Sequence, residues 1–362
     1  MTDKEYMQIA YVLARRGKGR TSPNPMVGAV IVNNGRIIGQ GYHHRCGGPH
    51  AEILALRQAQ AHAHGARMYV TLEPCCHQGR TPPCVDAIIA AGIKQVFISL
   101  KDPNPLVRGK SIARLRRNNV DVSCGLLRER GLLLNEVFIK YITRRRPFVV
   151  TKTAQTLDGK IATVSGESKW ITSQSARCYA RRMRNEFDAI LVGFNTVLKD
   201  NPFLDPAQKT KRLKKIVLDP ALRTNPRARL FRNSRSQDCI LVVGCRARVK
   251  DIKKFRSRGI NVWADPSATK DISLSWLMKE LARHEITSLL VEGGARVVGS
   301  ALREKVVDKM HVYIAPRIIG DQAALGAVAG TGVTRLKQTV RLDRVTFDRI
   351  GADIFLQGYI AS

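Results

Sequence analysis

Pro49-His50-Ala51-Glu52 and, further along, Pro74-Cys75-Cys76-His77-Gln78-Gly79-Arg80-Thr81-Pro82-Pro83-Cys84 decide how this chain is read. Zinc prefers nitrogen and thiolate donors, and a catalytic site takes three from the protein and leaves the fourth position to water. His50, Cys75 and Cys84 meet that count. Such a metal brings the pKa of water towards neutrality. A proton carrier is still needed, because hydroxide adds to an amine-bearing ring carbon and ammonia leaves protonated. Glu52, close to the histidine, is placed to carry that proton without ligating the metal. These residues imply a zinc-dependent deaminase of an amino-substituted heterocycle.

Local patterns support that arrangement. Pro49 precedes a predicted helix over Ala51–Ala61, which puts His50 and Glu52 at its start. Cys75 follows a predicted strand ending at Leu72, and Cys84 opens a helix introduced by Pro82-Pro83. A thiol near a helix N-terminus has a lowered pKa, which favours metal binding. Cys76 and His77 are further donors. Adjacent cysteines on one tetrahedral ion would be strained, so Cys76 reads as a support behind the ligands or as packing, and His77 as a substrate contact or a surface histidine.

Outward from this segment, apolar β-rich runs alternate with helical patterns. Strands are predicted at Val27–Val32, Ile37–Tyr42, Met68–Leu72, Gln95–Leu100 and Val120–Ser123, with Asn33-Asn34-Gly35 as a hairpin turn. Helices are predicted at Lys4–Arg16, Pro83–Ala91 and Lys110–Asn118. Residues 125–147 read as a helical connector. The alternation then restarts at Phe148–Thr153, followed by a helix near Ser175–Glu186 and a strand at Ala189–Val192. Later strands are predicted at Lys215–Leu218, Cys239–Val243, Ile260–Trp263, Ser288–Val291 and His311–Ala315, with a helix from Ser273 to His284. Both halves are α/β, and the division falls at 1–145 and 146–362.

Composition narrows the setting. No long uncharged apolar run and no apolar leader are present, so a cytoplasmic protein without membrane contact is expected. Eight cysteines in 362 residues without a secretion signal do not suggest a disulfide framework. The net charge is +32, and both halves share it: residues 1–145 hold 22 Lys+Arg against 9 Asp+Glu, the remainder 39 against 20. Such a charge attracts anions, phosphorylated metabolites or RNA. The basic segment Lys209–Arg258 lacks the interleaved aromatics of a single-strand stacking platform and reads as solvated surface. No specific nucleic acid is expected as partner.

The zinc segment resembles the cytidine-deaminase superfamily, and the eight residues between Cys75 and Cys84 discriminate within it. Cytidine and tRNA-adenosine deaminases typically carry a two-residue gap. The longer insert, with Pro23-Asn24-Pro25-Met26-Val27-Gly28 before it and Asp102-Pro103-Asn104-Pro105 after it, resembles the riboflavin-biosynthesis deaminase. The resemblance implies a diaminopyrimidinone substrate carrying a ribosylamino 5-phosphate. It assigns Asn24 and His43 to the substrate, and His77 and Arg80 to its phosphate.

The second half resembles the reductase often fused behind that deaminase, through Thr153-Ala154-Gln155-Thr156-Leu157-Asp158-Gly159-Lys160, Ser165-Gly166-Glu167-Ser168-Lys169-Trp170, Val192-Gly193-Phe194-Asn195-Thr196-Val197 with Asp200-Asn201-Pro202, and Val291-Glu292-Gly293-Gly294-Ala295. The Glu292-Gly293-Gly294 turn ends a strand and opens a helix, where backbone N–H groups can meet a pyrophosphate. No Rossmann glycine fingerprint is present.

What the resemblance implies is a cytidine-deaminase-like α/β/α layered domain followed by a dihydrofolate-reductase-like α/β domain using NADPH. Ala154, Trp170, Thr196, Asp200 and Gly294, Ala295, Arg296, Val297 and Val298 would line the NADPH site. Ser168, Arg184, Leu204 and Glu292 would meet substrate. Two consecutive reactions follow, deamination and reduction of the ribosylamino to a ribitylamino group, in a homo-oligomer. One departure stands out: Phe203-Leu204-Asp205-Pro206-Ala207-Gln208-Lys209 lacks the arginine with which this family usually holds the phosphate. Lys209, Lys211 or Arg212 are the local substitutes. The alternatives are a deaminase with a degenerate reductase half, or an RNA-editing deaminase using the basic surface.

Overall fold

The computed structural model describes residues 1–78, 82–232, 235–267, 271–330 and 332–361. They fall into two compact units, Met1–Arg145 and Arg146–Ser362. No helix among the described residues is long and apolar enough to cross a membrane.

The first unit is built on five strands, β1 (Gly28–Asn33), β2 (Arg36–Tyr42), β3 (Arg67–Leu72), β4 (Gln95–Leu100) and β5 (Asp121–Cys124), in the order β2-β1-β3-β4-β5. β1 runs antiparallel to β2 and β3, whereas β3, β4 and β5 are parallel. Asn34 and Gly35 both have positive φ, 48° and 75°, which makes the β1–β2 connection a tight turn. Alternate residues of β1 enter different cores. Ala29 and Ile31 join Met68, Val70 and Ile98, while Val30 and Val32 join Tyr69 and Phe97. A sheet covered on both faces gives the uninterrupted apolar run seen in the sequence.

Helix α1 (Asp3–Arg15) covers one face. It starts at a capping box in which Thr2 accepts from the Glu5 N–H and Glu5 accepts from the Thr2 N–H. The other face carries α2 (Ala51–Ala59), α3 (Cys84–Ala90) and α4 (Lys110–Arg117). α2 stops short of the expected Ala61, because Gln60 has φ 49° and a 3₁₀ turn takes over to Ala63. The expected connector is two helices, α5 (Arg128–Leu134) and α6 (Glu136–Arg144), broken at buried Asn135.

The second unit holds β6 (Phe148–Thr156), β7 (Lys160–Ala162), β8 (Ala189–Gly193), β9 (Lys214–Leu218), β10 (Cys239–Val243), β11 (Asn261–Ala264), β12 (Ser288–Val291), β13 (Lys309–Ala315), β14 (Leu325–Gly326), β15 (Leu342–Ile350) and β16 (Asp353–Ile360). Nine of them form one sheet, β11-β10-β9-β8-β12-β6-β13-β16-β15, parallel through β13 and antiparallel over the last two pairings. Its helices are α7 (Gln174–Met183), α8 (Phe194–Asp200), α9 (Val249–Arg256), α10 (Leu274–Arg283) and α11 (Ala295–Arg303). The core joins Val149, Leu191, Ile216, Ile240 and Leu289 of the sheet to Leu277 and Leu281 of α10.

Here the structure adds elements that the sequence reading did not contain: the β15–β16 hairpin, the β7–β14 pair, and α8 and α9. β15 is exposed throughout its middle, so it carries no buried alternation to read. The basic segment 209–258 is also less uniformly solvated than expected. Lys215 is only 2% exposed, because its ammonium turns inward onto Asp205.

Candidate active sites

In the first unit, β3 and the N-termini of α2 and α3 deliver the three donors. The ligand atoms of His50, Cys75 and Cys84 all lie within 4.8 Å of one another. His50 Nδ1 is 3.2 Å from Cys84 Sγ and 3.5 Å from Cys75 Sγ, and the Cys84 N–H donates to Cys75 Sγ at 3.3 Å. One imidazole and two sulfurs, converging at the ends of buried elements, are the donor set zinc takes with one position left open. Cys76 turns away, its Sγ 3.8 Å from the Leu106 carbonyl oxygen.

Electrostatics in this cluster follow from proximity. The bond from Cys84 holds the Cys75 sulfur far below the usual thiol range, with His50 and the Cys84 N–H acting in the same direction. Cys84 is pushed up in return by that shared bond and by burial. His50 is raised, chiefly by its bond to Cys75. Glu52 is 3% exposed, and burial pushes its carboxyl up to about 7 against the opposing pull of His50. A carboxyl at that value both gives and takes protons at neutral pH.

The remaining expected contacts of this unit surround the cluster unevenly. His43 follows β2 and meets the His50 ring edge-on, centroids 5.3 Å apart. Its Nδ1 lies 3.1 Å from the Pro49 carbonyl oxygen and its Nε2 lies 3.2 Å from Asn24 Nδ2. The carbonyl can only accept, so Nδ1 carries the proton and Nε2 accepts from Asn24. His77 has a buried Nδ1 without a hydrogen-bond partner among the described residues. Arg80 lies outside the described residues.

Two positioning residues here were not read from the sequence. Asn135 accepts from the Met26 N–H at 2.8 Å and donates to the Met26 carbonyl at 3.0 Å, which fixes the loop carrying Asn24. Glu73 accepts from the backbone N–H groups of Asp102 and Gly109, tying the Asp102-Pro103-Asn104-Pro105 loop to the turn that carries Cys75. Asn135 sits in a helical pattern and Glu73 in a strand exit, so neither showed a local signal.

In the second unit, the ends of neighbouring parallel strands β8 and β12 lead into α8 and α11. Gly294 precedes α11 without a side-chain cap, and a Cβ placed on it would come 3.6 Å from Thr196 Oγ1. Thr196 and the Gly294–Val298 turn are therefore side by side, with helix N–H groups available to an anion. The site lies between β8 and β12, whose onward connections run to opposite sides, to β9 and to β13, the usual place for a ligand on an open α/β sheet. Backbone amides beside a hydroxyl suit the pyrophosphate of a dinucleotide.

Ala154 lies on β6 and Asp200 at the end of α8. Trp170 is 61% exposed, with the Arg177 guanidinium 4.3 Å above its ring and Arg317 donating to its carbonyl. Ser168 is half-buried in the loop before it. Leu204 is buried with φ 58°.

Arg184 and Glu292, both expected to touch substrate, grip each other: Nε to Oε1 is 2.8 Å and Nη2 to Oε2 is 2.9 Å. Burial would raise the Glu292 carboxyl, but Arg184, with help from Lys152, holds it below its usual value. Lys152 was not singled out from the sequence. It lies on β6, its ammonium 5.6 Å above the Tyr313 ring, and burial lowers its pKa while Glu292 opposes that fall. A lysine among the β-branched residues Val149, Val150, Thr151 and Thr153 was the available signal.

The segment without the expected arginine is also explained. Asp205 accepts from Lys215 Nζ at 2.5 Å, and its carbonyl accepts from Arg184 at 3.0 Å. Of the suggested substitutes, Lys211 lies near Asp188, whereas Lys209 and Arg212 are exposed.

The chain is similar to known proteins over nearly its whole length. Residues 147–356 match the family described as RibD C-terminal domain, and residues 1–100 match the cytidine and deoxycytidylate deaminase zinc-binding region. The riboflavin biosynthesis protein RibD of Actinobacillus pleuropneumoniae is 44% identical, over 100% of this chain and 96% of the relative. That of Aquifex aeolicus is 42% identical, over 98% and 97%. Among solved structures, Acinetobacter baumannii RibD superposes with a TM-score of 0.90 at 34% identity, covering 99% of each chain. A diaminohydroxyphosphoribosylaminopyrimidine deaminase/5-amino-6-(5-phosphoribosylamino)uracil reductase from Thermotoga maritima gives 0.85 at 35% identity, again covering 99% of each.

Proposed function

The chain belongs to the RibD family of riboflavin biosynthesis proteins, and from that premise we propose that it carries out two consecutive steps. Its cytidine-deaminase-like unit deaminates 2,5-diamino-6-(5-phosphoribosylamino)pyrimidin-4-one. Its dihydrofolate-reductase-like unit then reduces the ribosylamino group to ribitylamino with NADPH. The work is done in the cytoplasm, with neither membrane nor specific nucleic acid as partner. The observation that carries the reading is the convergence of His50, Cys75 and Cys84 beside a fully buried Glu52.

In the deaminase unit, His50, Cys75 and Cys84 would hold zinc. When bound, zinc supplies a Lewis acid that makes water an adequate nucleophile at neutral pH. Glu52 takes a proton from the attacking water and delivers it to the leaving amino nitrogen, a task suited to a carboxyl near 7. Asn24, oriented through His43 and Asn135, offers the heterocycle a hydrogen bond. His77, with its unpartnered buried Nδ1, and Arg80 hold the phosphate.

In the reductase unit, Thr196, Asp200, Ala154, Trp170 and Gly294–Val298 would hold NADPH, which when bound supplies the hydride. Glu292, kept ionised by Arg184, and Ser168 and Leu204 position the sugar. Lys152, its ammonium destabilised by burial, gives a proton to the ribose ring oxygen as the ring opens. Asp205 is committed to Lys215, so the phosphate falls to exposed Lys209, a single charge, or to Arg212, whose guanidinium can hold it with two hydrogen bonds.

The test is to incubate the protein with the diaminopyrimidinone phosphate, with and without NADPH, and identify products by mass. The deaminated compound alone should appear without NADPH, and the deaminated, reduced compound with it. Unchanged substrate in both reactions would sink the reading. Deamination alone in both would leave the reductase unit as a scaffold.

A further inference from the structure

Strands β6 and β13 run side by side in parallel register, with Lys152 beside His311 and Ala154 beside Tyr313. Residues in register on neighbouring strands project to the same face of a sheet. Lys152 and Tyr313 meet on that face: the ammonium lies over the ring, 5.6 Å from its centroid. A cation within about 6 Å of an aromatic centroid is attracted by the negative face of the π system.

The ring is fixed from its other sides. Tyr313 is 1% exposed, with Phe355 of β16 at 4.9 Å between centroids and Tyr179 of α7 edge-on at 6.4 Å. Its hydroxyl oxygen is buried without a hydrogen-bond partner among the described residues. A buried hydroxyl that bonds nothing costs stability, so what this side chain offers its neighbours is the ring. Burial pushes the hydroxyl well above its ordinary pKa, and Tyr179, Glu292 and Glu186 act in the same direction, so Lys152 faces a neutral phenol.

The other groups around Lys152 leave a task for that ring. Burial and Arg184 favour the free amine, and Glu292 opposes them. Glu292, however, is gripped by Arg184 through two hydrogen bonds. His311 shares the face, its Nδ1 3.0 Å from Met183 Sδ. The Tyr313 ring is a further source of negative potential, and it offers no basic atom to compete for the lysine's proton.

We propose that Tyr313 is a positioning residue for reduction, whose ring face keeps the Lys152 side chain in place and in its ammonium form beside Glu292. The inference rests on Lys152 as the proton donor of the reductase unit. A donor must start protonated, so reduction falls as pH rises through the lysine's folded pKa. The ring stabilises the charged form, hence its loss lowers that pKa and moves the falling limb to the acid side.

The pH profile of kcat for NADPH oxidation, measured on the full chain with pre-deaminated substrate, tests this. Tyr313→Leu and Tyr313→Met remove the ring at two side-chain lengths. Each should move the limb about one pH unit to the acid side and lower kcat about tenfold above it. The gap should close on acidification, with KM for NADPH little changed, whereas a packing defect lowers kcat alike at every pH. Tyr313→Phe keeps the ring and should restore the limb. Added to Lys152→Met, Tyr313→Leu should cost nothing further. Circular dichroism and NADPH titration confirm that each variant is folded. If Lys152→Met is impaired, an unmoved limb in Tyr313→Leu and Tyr313→Met, a Tyr313→Phe as impaired as they are, or an additive loss in the double variant would each overturn the inference alone. A fully active Lys152→Met would overturn the donor role and this inference together.

Discussion

Arg184 meets Glu292 with two parallel hydrogen bonds, 2.8 and 2.9 Å, in a place where the two side chains are only 19% and 8% exposed. Removing the cation leaves a carboxylate buried without its partner. Arg184→Met should therefore cost about 3–5 kcal/mol in denaturant unfolding and abolish reduction while sparing deamination.

That pair also sets a pH dependence. The Glu292 carboxyl sits below its ordinary 4.5 in the folded protein, so its contribution is complete above that pH and lost as pH falls through the folded value. In Arg184→Met, burial raises the carboxyl against only the remaining pull of Lys152, so acidification towards 4.5 should relieve the variant. The stability gap between wild type and variant should narrow from pH 7 to pH 5. A constant gap would mean that Glu292 titrates alike in both.

Glu52→Gln keeps the shape of the buried side chain and removes its proton transfer. Zinc content should stay at that of the wild type while deamination falls by about 10²–10⁴-fold. Reduction of pre-deaminated substrate should be unaffected. Loss of both activities in a folded variant would refute two separate sites.

Stripping the metal with a chelator, or replacing Cys84 by Ala, should abolish deamination and leave NADPH oxidation on pre-deaminated substrate intact. Rebinding of zinc should release protons into weak buffer, since Cys84 is the thiol that holds one. A metal-free protein with full deaminase activity would contradict the assignment.

Lys152→Met is nearly isosteric and removes the proton donor proposed for ring opening. Its kcat for reduction should drop by about 10²-fold or more, with KM for NADPH little changed. An unchanged kcat would assign Lys152 to packing against Tyr313.

Lys215→Met unpairs Asp205 and should destabilise the chain by about 3 kcal/mol, read as a lowered unfolding midpoint. KM for the phosphorylated substrate should barely move, because the pair is structural. A large rise in KM would place Lys215 at the phosphate instead.

Much of this protein was legible as sequence because its signals are local. The buried runs of β1, β3, β8, β10 and β12 follow from apolar β-branched stretches, and the proposed ligands His50, Cys75 and Cys84 from proline-marked element starts. What sequence could not decide depends on residues far apart in the chain. Asn135 reaches Met26, Glu73 reaches Gly109, Arg184 closes on Glu292, and Lys215 reaches Asp205. Each is a polar group whose burial is tolerable only with a partner that folding brings near. The sequence by itself determined the two α/β units and the residues that would hold a metal, and its family resemblance implied the order of the reactions. Tertiary structure alone decided which charges are paired and buried, that Lys152 belongs beside Glu292, and that β15 ends the sheet as an open edge, because pairing and exposure are properties of neighbours in space.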